Sequence, residues 1–131
     1  MKHQARAVLK IFLVLPAILF VVSGLRWWVD PSGAAEQLGM PLLDGVGLSS
    51  QIGDLAAFFL VLGLFVLTGV VTAERRWFYA PVALLVLAAA SRLLAWVFHD
   101  ASLAVALIAV EVSVAALLWF SLPWVCDPSE S

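Results

Sequence analysis

Four stretches of this 131-residue chain are apolar over about the 20 residues that an α-helix needs to cross a hydrocarbon layer. No other feature narrows the fold so far. Hydrocarbon offers no water to a bare peptide group, so each stretch must close its hydrogen bonds within itself, as a helix. The runs fall at 7–25, 55–73, 78–98 and 102–122. They predict a single domain over 1–131: all-α, an integral-membrane four-helix antiparallel bundle. Composition removes the soluble alternative. Hydrophobic residues make up 64% of the chain and charged ones 12%, against about 45–50% and about 25% in soluble domains. Membrane lipid is therefore the expected solvent and first partner.

The net charge of −2, with no basic stripe to meet phosphates, excludes a nucleic-acid partner. One cysteine, Cys126, excludes an internal disulfide and a cysteine-based metal cluster.

The first run is the shortest. Fifteen uncharged residues separate Lys10 from Arg26, so it spans if both side chains snorkel. Lys2, Arg6 and Lys10 ahead of an apolar core ending "VVSG" also look like a signal peptide. Val22 and Gly24 fit an A-x-A cleavage site badly, and the run is read as a retained span. Orientation follows from the basic residues. Lys2, Arg6 and Lys10 precede the first run, and Arg75 and Arg76 occupy the short loop "TAERRW". The opposite side holds Arg26 alone, and "FHDAS" has no lysine or arginine. The positive-inside rule then puts both termini in the cytoplasm and the protein in the inner (plasma) membrane. Trp27, Trp28 and Trp96 are expected at the outer interface, and Trp77, Tyr79, Trp119 and Trp124 at the inner one.

The longest connection, from Arg26 to Asp54, faces outward in this scheme. Its first half, "DPSGAAEQLGMP", predicts one short interfacial helix: Asp30 caps it, Pro31 suits its first turn, and Gly39 with Pro41 ends it. Ala34, Ala35, Leu38 and Met40 would face the bilayer or the mouth of the bundle. The second half, "LLDGVGLSSQIGD", is expected to return as a turn-rich segment because of its glycines. The tail, 123–131, is acidic and expected to be disordered.

A carboxylate inside the fourth run is the main chemical signal. Glu111 stands nine residues from the expected start of that run, about 14 Å deep at 1.5 Å per residue. An ionised group there costs roughly 2.5–3.5 kcal/mol. The eleven Leu, Ile, Val and Phe residues of 102–122 offset this at roughly 0.3–0.6 kcal/mol each. Insertion is therefore feasible, yet the carboxylate needs a partner. Arg92, late in the third run, is the one cation within reach. The short connection makes runs three and four antiparallel neighbours. With the turn centred near Asp100, the two residues differ in depth by about 4–5 Å, which an arginine spans. Asp54 and Gln51, at the start of run two, and His99 and Asp100, at the end of run three, enter from the same side. The expected polar cluster is thus Glu111, Arg92, Asp54, Gln51, His99 and Asp100, with Asp54 competing for the Arg92 guanidinium. Two acids on one base would leave one excess negative charge.

No catalytic motif accompanies the cluster: no nucleophile elbow, H-E-x-x-H, phosphate loop or Cys-x-x-Cys occurs. Two acids and one histidine without ligand spacing give no metal site, and no cofactor is expected. Several readings stay open. The pair fixes helix register without a ligand; or the chain is a non-enzymatic binding or scaffold protein with a polar site in its outer half. A proton-coupled transporter using Glu111 is the alternative, and a membrane-enzyme subunit with Glu111 or Asp54 as acid/base the third. A homodimer fits any of them.

The motifs Pro31, Leu38 and Gly39 after run one, a glycine-bearing start to run two, "SR" at Ser91–Arg92 and Glu111 in run four together carry a resemblance. The layout resembles short four-span bacterial membrane proteins of unknown function. Those proteins tend to carry an arginine near the start of span two, where this chain has Gln51 and Asp54. More remotely it is similar to the sterol-biosynthesis scaffold proteins, four-helix adaptors, which implies a membrane enzyme as partner. Small multidrug transporters share the size, but their essential glutamate lies in span one, which has no acid here.

Overall fold

The computed structural model of the chain describes residues 1–126. It is all-helical, with five helices: α1 (Lys2–Val29), α2 (Pro31–Gln37), α3 (Gly45–Thr72), α4 (Arg76–Phe98) and α5 (Val105–Val125). The four long ones are long and apolar enough to cross a membrane. They form a ring in which α1 lies on α3, α3 on α4 and α4 on α5, while α5 meets α1 only loosely.

Each neighbouring pair is antiparallel. Gly24 would meet Leu60 and Gly63 would meet Ala17 across α1–α3, and Gly69 sits under the Phe78 ring across α3–α4. A Cβ on Gly63 would lie 2.5 Å from the Ala17 carbonyl oxygen, so the close α1–α3 crossing depends on that glycine. Small residues at such crossings are how helices approach when lipid supplies no hydrophobic drive between them.

The outward surface fits a lipid solvent. Val8, Ile11, Phe12, Leu15, Ile18, Leu19 and Val22 of α1 are each at least 46% exposed, an apolar belt that water would penalise. Toward the termini, Leu13, Leu62, Val66, Phe78, Leu85, Leu118 and Val125 form the main core, which includes the buried Cys126. A smaller core at the other end packs Trp27, Ala34, Ala35 and Ala56 beneath α2.

The short helix forms as its residues dictate. The Asp30 carboxylate accepts from the Gly33 N–H at 3.1 Å, and Pro31 occupies the first turn. At the other end Gly39 has φ +69°. The Met40 N–H donates to Ala35 O and the Gly39 N–H to Glu36 O, the double closure that a left-handed glycine permits.

Several boundaries differ from the sequence reading, and α1 runs over Lys2–Val29 where 7–25 was expected. The return segment is helical from Gly45, ten residues before 55. No proline interrupts it, and each glycine lowers helix stability by only about 1 kcal/mol. Next, α5 begins at Val105, three residues later than expected. The chain leaves α4 through a wider turn in which Asp100 adopts φ +56°, a conformation aspartate tolerates better than most residues. Finally, 123–125 belong to α5. Cys126 is its C-cap, and the remainder of the expected tail, 127–131, lies outside the described residues.

Candidate functional site

Arg92 and Glu111 each stand six residues from the facing ends of their helices, Phe98 and Val105. Both therefore lie about 9 Å below those ends. The later start of α5 removes the expected offset in depth and brings Glu111 closer to the end of the bundle. The Arg92 Nε–H donates to Glu111 Oε1 at 2.9 Å. Glu111 is buried on α5, 7% exposed, and its second oxygen, Oε2, is buried without a hydrogen-bond partner. The Arg92 side chain is 35% exposed. One guanidinium thus serves one carboxylate, leaving one acceptor atom unused.

The pair forms part of the wall of a cavity of about 350 Å³ beneath α2. Phe20, Trp27, Phe58, Phe59 and Leu85 supply its apolar lining. Ser23 on α1 and Gln37 on α2 are its other polar side chains. Leu19 of α1 and Val110 of α5 also line it while being 65% and 53% exposed. They mark an opening along the loose α1–α5 seam, sideways out of the bundle. Such a volume is at the small end of ligand pockets, and an apolar lining with a few convergent polar groups is their usual make-up.

The roof is held by polar contacts. Arg26 Nε donates to Asp30 Oδ2 and Arg26 Nη1 to Gln37 Oε1, both at 3.2 Å, so one side chain ties α1 to both ends of α2. The Gly33 N–H, first, and then the Arg26 guanidinium hold the Asp30 carboxyl below its ordinary value of 3.8.

The remaining expected members of the cluster lie elsewhere. Asp54 is exposed on α3 and takes part in none of the three ion pairs found among the described residues. It stands about 200° around the helix from the buried Ala56, so its carboxylate does not compete for Arg92. Gln51 works in the connector: its Oε1 accepts from the Leu43 N–H, and its Nε2 donates to Pro41 O and Met40 Sδ. His99 and Asp100 are exposed in the α4–α5 turn. Without Asp54 the buried cluster is charge-balanced. The described residues contain no group of three or more His, Cys, Asp or Glu able to hold a metal ion.

Sequence reasoning missed Trp27 as a cavity residue. It was expected at the interface with Trp28, but it is 1% exposed, whereas Trp28 is 62% exposed. The available signal was the small pair Ala34–Ala35 on a short helix folding back over it. Comparison with protein-family models, curated proteins and solved structures finds no match for this chain.

Proposed function

We propose that this protein is a non-enzymatic binding protein of the inner membrane that holds a lipid-like molecule in the cavity beneath α2. Five of its seven Lys and Arg residues lie at the end that carries the termini, Arg75 and Arg76 among them where α3 passes into α4. That asymmetry supports cytoplasmic termini and, with them, a cavity in the outer half of the bundle. One observation carries the reading: an apolar cavity has a part-buried ion pair in its wall and opens sideways at the exposed Leu19 and Val110. A ligand entering by that route must itself be largely apolar. The polar pair supplies orientation at the inner end of the path, and among the described residues that line the cavity the one hydroxyl, Ser23, has no hydrogen bond to a base.

Native mass spectrometry from mild detergent tests the proposal against a Val110→Trp variant, in which the added ring fills the entrance. The unaltered protein should retain one lipid-like adduct that the variant loses. Equal adducts on both proteins would reject the cavity as the site. Copurification of an enzyme at fixed stoichiometry without such an adduct would replace this reading with the scaffold one.

A further inference from the structure

The ion pair also constrains the head group of whatever enters the cavity. Glu111 Oε1 is occupied by Arg92, while Oε2 accepts nothing and has almost no accessible surface, so a donor in the cavity reaches it when the carboxylate turns about its soft terminal torsion. Leaving a buried acceptor on a charged group unpaired is costly, and a donor brought to it regains that loss. The donor's own charge is limited by the pair, which is neutral overall because Asp54 is not part of it. An anionic head would make the cluster net negative inside an apolar wall, and an ammonium would make it net positive. Either excess is penalised away from water. A hydroxyl satisfies Oε2 and adds no charge. Its oxygen can in turn accept from a donor, and the guanidinium of Arg92 and the side chains of Ser23 and Gln37 line the same cavity.

We infer that the cavity selects an amphipathic alcohol: a neutral, hydroxyl-headed lipid whose O–H donates to Glu111 and whose apolar body lies among Phe20, Phe58 and Phe59. The inference rests on the reading that this cavity holds a lipid-like molecule.

Four probes of one chain length separate the possibilities: 1-dodecanol, dodecyl methyl ether, dodecanoate and dodecylammonium. Each is added at equal mole fraction to the full chain in phosphatidylcholine nanodiscs, and occupancy is read by native mass spectrometry, with Val110→Trp as background. The alcohol should bind about tenfold or more tightly than the ether, the ratio expected for one hydrogen bond to a charged group. Both ions should bind more weakly than the alcohol. In Glu111→Gln an N–H₂ donor takes the place of one carboxylate oxygen, and Arg92 loses its counter-charge. The preference should then reverse, with dodecanoate overtaking dodecanol.

Binding in which the ether equals the alcohol, or an ion exceeds it, overturns the alcohol assignment while leaving the cavity reading intact. Absence of any signal above the Val110→Trp background overturns both. The ranking on the unaltered protein decides the matter even where Glu111→Gln fails to fold.

Discussion

Removing Arg92 alone should harm the protein more than removing both partners of the Arg92–Glu111 pair. Arg92→Leu strands a carboxylate whose side chain is 10% exposed. Breaking a buried pair in this way costs about 3–5 kcal/mol in soluble proteins. Inside membranes the unfolded reference finds partners of its own, which lowers such values, so we expect about 2–3 kcal/mol. Glu111→Leu should cost less, about 1 kcal/mol, because the Arg92 side chain is 35% exposed and can turn toward the cavity or snorkel. The double variant replaces two charges with apolar side chains and should lie within about 1 kcal/mol of the parent. The two single losses together reach about 3–4 kcal/mol and the double lies near the parent, so the coupling energy is about 2–5 kcal/mol, above the roughly 0.6 kcal/mol average for polar contacts between membrane helices. Reversible unfolding in bicelles, run as a double-mutant cycle on the four proteins, measures it directly. Additivity within about 0.5 kcal/mol would show that the 2.9 Å contact contributes nothing to stability, and the argument for a charge-balanced site would fall with it.

Three further outcomes are expected. Gly63→Ala should destabilise the bundle by about 1–3 kcal/mol through overpacking, while Gly53→Ala, whose added Cβ meets nothing within 4 Å, should stabilise it by about 0.5–1 kcal/mol; bicelle unfolding compares them. Because folding lowers the Asp30 pKa from 3.8, its contribution to α2 is full well above that value and is lost as pH falls through the lower folded value; the protection of the Gly33 amide relative to its intrinsic exchange rate should hold at neutral pH and fall only in acid, and Asp30→Ala should lack it throughout. A reporter fused after Ser131 should be active only in the cytoplasm, and a cysteine placed at exposed Ser32 should react with an impermeant maleimide from the outside.

Residue patterns disclosed the helices more fully than their ends. Four apolar runs could only be helices, and α2 was legible from Asp30, Pro31 and Gly39 because caps and stops are local chemistry. The start of α3 was obscured by Gly45, Gly47 and Gly53, which look like turn residues in water. A helix end facing lipid or a bundle mouth gains by keeping its backbone paired, and that outweighs a few weak propensities. The Arg92–Glu111 contact was readable because two antiparallel neighbours with a short turn leave little freedom in relative depth. Asp54 and Gln51 were misassigned because depth alone groups residues that helix rotation separates. Rotation is set by which residues pack, and the periodicity of an almost wholly apolar helix hardly records it. The cavity itself left no sequence signature, since its walls come from five helices.

The same small residues that tighten one side of the bundle account for the opening on the other. Gly24 and Gly63 let α1 settle closely on α3, where a side chain would meet Leu60 or the Ala17 backbone. A helix drawn that far toward one neighbour in a ring of four is held away from the other, and α1 meets α5 only loosely. Along that seam the buried Glu111 is reached from the side between Leu19 and Val110, while α2, tied down by Arg26, closes the top. A bundle serving only its own stability would gain by filling this gap with methyl groups, since a cavity lowers stability in proportion to its volume. It would gain again by replacing the ion pair with hydrocarbon. Both departures from maximal stability meet at one place, Glu111, whose second oxygen is an unused acceptor. That coincidence favours a bound molecule over a register device, which would need the pair but no space beside it.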